Sequence, residues 1–86
     1  MGFSTADILG TPLLHVEAKR VERLNFYEAL EQAERSIQHT QSRDMPVVIN
    51  RRNGMTTGDS LVAMRLDHFL DFYCFYLSAK GYSRND

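Results

Sequence analysis

Glu17 and Lys19 are the residues in this chain whose types and spacing most directly suggest chemistry. They lie in an apolar run that is typical of a β-strand, where successive side chains point to opposite faces, so both are expected on one face with His15 beside them. There the acid can hold a divalent cation while the lysine steadies an attacking water or a phosphate oxygen. The same alternation is common on solvated strand faces, and a surface ion pair of little energetic value is the alternative for the pair taken alone.

Oxygen ligands around this pair would suit Mg²⁺ or Mn²⁺. Asp7 lies ten residues before Glu17, on what we expect to be a neighbouring strand, and the two can supply a pair of carboxylates. The backbone carbonyl of Ala18 can supply a third oxygen. A cation held by these groups polarises a phosphate and acidifies a bound water, which Lys19 is placed to orient.

The elements that must position these residues alternate between strand-like and helical patterns. We predict the end of a strand within residues 1–10, a strand over 13–19, a helix over 25–38, strands over 46–50 and 60–65, and a helix with Asp67 as its N-cap. The strand–helix–strand crossover predicts two parallel strands, and the turn Asn53-Gly54 predicts an antiparallel last pair. The expected fold is therefore a small mixed β-sheet with flanking helices, α/β in class, in the order β-β-α-β-β-α and in one domain, 1–86.

The two predicted helices differ in pattern. Asn25 followed by Glu28 is typical of a capping box, and the helix after it has one apolar face, made of Phe26, Ala29, Leu30, Ala33 and Ile37. In the second helix the apolar positions extend well beyond one face. Its aromatic residues could stack on unpaired bases, but core packing and a subunit interface are the favoured interpretations: Phe69, Phe72, Tyr73, Phe75 and Tyr76.

Composition excludes several classes of protein. The chain has 86 residues and a net charge of −1, so it is not a polycation that binds nucleic acid through bulk charge. It has no apolar run long enough to span a bilayer, and we expect no membrane partner. Cys74 is the single cysteine and excludes an internal disulfide, which fits a reducing, cytoplasmic location.

The residues around the Glu17–Lys19 pair carry a family resemblance. The segment 4–20, with Asp7, Glu17 and Lys19, resembles the D…E-x-K signature of the PD-(D/E)xK nuclease superfamily. Segments 21–33 and 46–53 extend the likeness to the small phage-encoded members of the virus-type replication-repair nuclease group (VRR-NUC), which are similar to Holliday-junction resolvases. The resemblance covers roughly residues 4–77 and is more specific than the E-x-K pair.

The resemblance implies a restriction-endonuclease-like core and a metal-dependent endonuclease that cleaves phosphodiester bonds in DNA. The expected substrate is branched or structured DNA such as a four-way junction, cut by a homodimer or higher homo-oligomer in the host cytoplasm if a phage encodes the chain. By analogy Asp7 and Glu17 bind Mg²⁺ or Mn²⁺, Lys19 assists the water, and Gln32 supports the site. A basic rim of Arg20, Arg23, Arg51 and Arg52 is expected to bind phosphates.

The chain departs from the family pattern at two points. Only six residues precede Asp7, so the first helix of the core and its metal-binding glutamate are expected to be missing. Asn50 stands where the family pattern leads us to expect a histidine. These departures leave an alternative open, namely a catalytically inactive nuclease-fold protein that acts as an oligomerising DNA-binding or assembly factor.

Overall fold

The computed structural model describes residues 12–82, and they form an α/β arrangement around a small mixed sheet. The elements in chain order are β1 (Leu14–Lys19), α1 (Phe26–Thr40), β2 (Met45–Asn50), a 3₁₀ turn η1 (Thr57–Asp59), β3 (Leu61–Ala63) and α2 (Leu66–Ala79). The predicted fold class is confirmed. The strand end predicted within residues 1–10 lies outside the described residues.

The sheet has the order β1-β2-β3, with β2 in the centre. β1 and β2 are parallel and joined through α1, in a register that sets Glu17 beside Val48 and Lys19 beside Asn50. β2 and β3 are antiparallel, as the Asn-Gly turn predicted. The predicted strand over 60–65 pairs only across Leu61–Ala63, because β2 ends at Asn50 on one side and the chain turns into α2 on the other.

Helix α1 begins and ends where local backbone chemistry dictates. The Asn25 side chain accepts a hydrogen bond from the backbone N–H of Glu28 at 3.1 Å, which confirms the predicted N-cap. At the other end Gln41 adopts a left-handed conformation, φ 56°, and its N–H donates to the carbonyl of Gln38. The helix therefore extends to Thr40, two residues beyond the predicted end.

The core lies between α1 and β2. Ala29 and Leu30 of α1 pack against Val48, which is fully buried, and Ala63 of β3 adds to this cluster. Val47, the neighbour of Val48, is also buried, so β2 is covered on both faces as its β-branched run predicted. This packing places α1 over the sheet face that carries Val48.

Helix α2 begins one residue before the predicted N-cap. Asp67 lies within the helix, and Arg65 takes the cap position without a side-chain capping bond. Instead, the Arg65 guanidinium donates two hydrogen bonds to Glu34 of α1, a residue distant in sequence. Neither helix within residues 12–82 is long and apolar enough to cross a membrane.

Candidate active site

Glu17 and Lys19 lie on the face of β1 that α1 covers. Neighbouring residues in a parallel pair point to the same face, so Glu17 shares the face of its neighbour Val48, which packs on α1. Alternation along the strand puts Lys19 and His15 on that face too. The structure therefore brings the predicted acid and lysine together at the edge of the sheet, under the N-terminal half of the helix.

Glu17 is half-buried and has a close polar neighbour. Its Oε1 lies 3.3 Å from Nε2 of His15, which is also half-buried. This contact restricts the rotamers of the carboxylate, and a restricted carboxylate loses less entropy when it binds a cation. The sequence placed His15 on the same face of the strand but did not predict this contact, whose only signal is the i, i+2 spacing.

Lys19 and Gln32 line one cavity of about 230 Å³ between the end of β1 and the first turns of α1. Asn25, Glu28 and Gln32 follow the i, i+3, i+7 spacing of one helical stripe and face this cavity together. Gln32 therefore lines the same cavity as Lys19 of the E-x-K strand. Glu28, which the sequence indicated only as a capping residue, adds a carboxylate to the cavity.

The Ala18 carbonyl points away from β2, toward the edge of β1 that no strand of residues 12–82 pairs with. The carbonyl of Lys19 accepts the backbone N–H of Arg51 at 3.2 Å, so it points toward β2. Successive carbonyls along a strand alternate in direction, and that of Ala18 therefore points away from β2, to an edge where no strand of residues 12–82 pairs. A carbonyl oxygen on that edge is available to a hard cation held by Glu17.

These groups fit a magnesium-type site in part. Mg²⁺ is commonly bound through one or two carboxylates together with waters and substrate phosphate, and Glu17 with the Ala18 carbonyl provides a beginning of such a site. Residues 12–82 contain no cluster of three or more histidine, cysteine or acidic side chains that could hold a metal by themselves. Asp7, the predicted second carboxylate, lies outside the described residues.

The four predicted phosphate-binding arginines divide between two cavities at the carboxyl ends of β1 and β2. Arg20 and Arg51 line one of them, and Arg23 and Arg52 line the other. Among residues 12–82 the close contacts between a basic and an acidic side chain are His15–Glu17 and Arg65–Glu34, so none of these four guanidinium groups forms an ion pair with a described carboxylate. Their charges remain available to an anionic ligand.

Asn50 secures the loop that follows the E-x-K strand. Its side chain is buried, and its Oδ1 accepts the N–H of Val21 at 3.0 Å while its Nδ2 donates to the Val21 carbonyl at 2.8 Å. In this role an amide is well suited, because it offers both a donor and an acceptor in one plane. The sequence marked Asn50 only as a departure from the family pattern, and its contact across 29 residues has no local signal.

No family model, curated protein or solved structure matches this chain. The geometry of the residues themselves therefore carries the functional argument.

Proposed function

We propose that this chain is a metal-dependent endonuclease of the PD-(D/E)xK type that cleaves phosphodiester bonds in DNA. The observation that supports it most is the placement of Glu17 and Lys19 on one face of β1, with the Ala18 carbonyl directed away from β2. An acid, a lysine and a backbone carbonyl form part of the donor set that phosphate hydrolysis with a hard cation uses, and Asp7 would supply the second carboxylate. The unneutralised arginines nearby support a polyanionic substrate.

In the proposed reaction a water oxygen attacks phosphorus, one P–O bond breaks, and the products are a phosphomonoester and a free hydroxyl. Mg²⁺ or Mn²⁺, held by Glu17, Asp7 and the Ala18 carbonyl, would supply charge neutralisation and an acidified water. The Lys19 ammonium donates hydrogen bonds to a non-bridging phosphate oxygen, where negative charge grows as the reaction proceeds. Gln32, which lines the same cavity as Lys19, orients the water through its amide.

The proposal extends to substrate, assembly and location. Branched DNA such as a four-way junction suits a two-fold assembly, because two symmetric active sites can cut two symmetric strands. A homodimer or higher homo-oligomer is also supported by the exposed apolar side chains of α2. We place the activity in the cytoplasm, consistent with one cysteine and no internal disulfide.

The test is a cleavage assay on a labelled four-way junction with Mn²⁺. Lys19→Ala and Glu17→Gln are each expected to lower the cleavage rate by about 100-fold or more, because each removes a group that stabilises charge in the transition state. Lys80→Ala and Glu31→Gln are the matched controls, with the same chemical changes made on exposed residues of other elements. Both controls should cleave like the wild type.

Three results would contradict the mechanism. Cleavage by the wild type that persists after removal of divalent cations would exclude the metal-dependent reaction. Full activity of Lys19→Ala would exclude its role at the phosphate. A wild type that binds the junction but does not cut it in Mn²⁺ or Mg²⁺ would favour the second candidate function, described next.

The second candidate is a catalytically inactive nuclease-fold protein that acts as an oligomerising DNA-binding or assembly factor. One observation favours its assembly role: none of the side chains of α2 is buried among the described residues. Under this candidate Lys19→Ala would weaken DNA binding as any removed cation does, and the oligomer would form with or without a divalent cation.

A further inference from the structure

We propose that a second phosphate of the substrate DNA binds in a cleft on the opposite face of the sheet from Glu17. This basic cleft is the cavity whose rim is formed by Arg20, Arg51, Thr57 and Ser60. That the bound phosphate belongs to DNA rests on the proposed function. The cleft itself is defined by described residues and can be tested without cleavage.

The position of the cleft follows from the strand register. Its floor is formed by Val16, Ala18 and Ile49. Ala18 is paired with Ile49, and alternation places Val16 and Ala18 on the face that Glu17 and Lys19 do not occupy. The two faces meet at the end of β1, where Lys19 lines both the basic cleft and the cavity that contains Gln32. A DNA backbone can therefore reach both sites by passing over the strand end.

The size of the cleft suits a phosphate group. Its volume is about 140 Å³. A cavity of about 10–15 Å³ on this measure holds one water molecule, so the cleft has room for a group of several non-hydrogen atoms such as a phosphate. The cleft is open on one side, as a phosphate that belongs to a continuous chain requires.

The donors on the rim are arranged for an anion. Nη1 of Arg51 donates to Oγ1 of Thr57 at 3.1 Å, which orients the half-buried guanidinium. Because this bond uses the Thr57 oxygen as an acceptor, the hydroxyl proton of Thr57 remains free to donate to a ligand. Arg20 is exposed and adds a second guanidinium, whose fork matches two phosphate oxygens.

No described carboxylate lines the cleft or forms an ion pair with Arg20 or Arg51. Asp59 is the acid nearest in sequence to the rim, but it does not line the cleft, and its carboxylate accepts a hydrogen bond from the Thr56 hydroxyl at 2.8 Å. The ion pairs within the described range leave Arg20 and Arg51 unneutralised. Two guanidinium groups and two hydroxyls around one open space favour a dianion or a phosphodiester over an apolar ligand.

The test measures DNA binding in the absence of divalent cations, with a fluorescein-labelled duplex and fluorescence anisotropy. Arg20→Ala is expected to weaken binding about tenfold and to lower the salt dependence by about one counterion. Arg20 is exposed and has no partner among residues 12–82, so its replacement leaves the fold intact. Arg43→Ala is the matched control, since Arg43 is exposed and precedes β2 at the other end of the sheet, and it should bind within twofold of the wild type.

A second variant and a second ligand sharpen the result. Arg51→Lys keeps the positive charge but loses the bidentate donors of the guanidinium, so it is expected to weaken DNA binding. A thermal melt of the variant reports whether the fold is retained. Inorganic phosphate, titrated into protein with ¹⁵N-labelled arginine, should shift the Nε resonances of Arg20 and Arg51 but not that of Arg43. If Arg20→Ala impairs phosphate binding and leaves DNA binding unchanged, the cleft serves a free phosphate compound and the assignment to DNA is wrong.

The outcome is separable from that of the proposed nuclease activity. If the wild type never cleaves and Arg20→Ala binds DNA more weakly than Arg43→Ala, the proposed nuclease activity is wrong and phosphate binding in the basic cleft is supported. If the wild type cleaves and Arg20→Ala binds DNA as tightly as Arg43→Ala, the nuclease activity is supported and the proposed phosphate site in the basic cleft is wrong.

Discussion

At the scale of single residues, the end of β1 depends on one buried amide. Asn50 is 4% exposed, and both of its polar atoms bond the backbone of Val21. The loop held in this way carries Arg20 and Arg23 and begins directly after Lys19, so Asn50 acts on the candidate site by positioning its neighbours. A buried polar group with both bonds made is stabilising, whereas a partner left unpaired is destabilising.

Replacement of this amide should therefore destabilise the fold. Asn50→Ala leaves the N–H and carbonyl of Val21 without their protein partners, and we expect a loss of about 2 kcal/mol in the free energy of unfolding and a melting temperature lower by about 10 °C. Circular dichroism melts measure both. Asn53→Ala is the matched control, because Asn53 is exposed and its only contact to Glu22 is through the backbone N–H. Equal melting of the two variants would contradict the role given to Asn50.

The residues that the sequence predicted well are those whose positions follow from local geometry. Glu17 and Lys19 share a face because strand side chains alternate, and Asn25 caps α1 because its amide reaches the N–H three residues on. Asn50 and Val21 lie 29 residues apart, and the division of the arginines between two cavities depends on the sheet register. Such contacts arise from tertiary packing and have no periodic signal in the chain.

At the scale of elements, α2 is joined to α1 by one ion pair. Arg65 donates from Nε and Nη2 to the two carboxylate oxygens of Glu34, each at 2.8 Å, which is the bidentate geometry favoured by guanidinium groups. The hydrogen bond from Arg65 holds the pKa of Glu34 below its usual value, and the positive charges of Arg65 and His68 act in the same direction. The pair is largely exposed to solvent, which screens it and limits its contribution.

The lowered pKa predicts how this contact depends on pH. Because the carboxyl is more acidic in the folded state, its stabilising contribution is complete above the pKa of the unfolded chain and is lost as the pH falls through the lower, folded value. Glu34→Gln should therefore be less stable than the wild type at neutral pH, and the difference should close in strong acid. Denaturant titrations at both pH values, with Arg65→Gln and the double variant to complete the cycle, measure the coupling. A difference that grows in acid would contradict the sign.

The elements also differ in how far the sequence predicted them. α1 has one apolar face and a cap, and its predicted bounds are within two residues of those observed. β3 is shorter than predicted because β2 ends opposite Leu61 and the chain turns into α2 soon after Ala63. The apolar stripe of α2 predicted a helix correctly but could not tell which face the domain would bury, and the described side chains of α2 are at most half-buried.

At the scale of the whole molecule, the apolar surface of α2 exceeds what the described core uses. The buried hydrophobic residues of the core come from α1 and β2, whereas large apolar side chains of α2 are 43–77% exposed: Leu66, Phe69, Leu70, Phe72, Tyr73, Phe75 and Tyr76. The five aromatic rings among them are 46–77% exposed and present roughly 500 Å². With the two leucines this approaches the ~800 Å² that each partner of a standard interface buries, and a second copy of the chain is the occupant we propose.

The proposed interface predicts that one exposed ring of α2 matters for assembly while an equally exposed ring elsewhere does not. Phe75 is 77% exposed on α2, and Tyr27 is 78% exposed on α1. Phe75→Ser should shift the chain toward the monomer in sedimentation velocity and weaken dimer formation by about tenfold, because an aromatic ring buried in an interface can contribute more than about 1 kcal/mol. Tyr27→Ser should sediment as the wild type does.

A wild type that stays monomeric at high protein concentration would exclude the second copy as the occupant of α2. If Phe75→Ser loses cleavage at concentrations where only the monomer exists, then dimerisation through α2 is required for the activity. This is expected because symmetric cleavage of a junction needs both active sites at once.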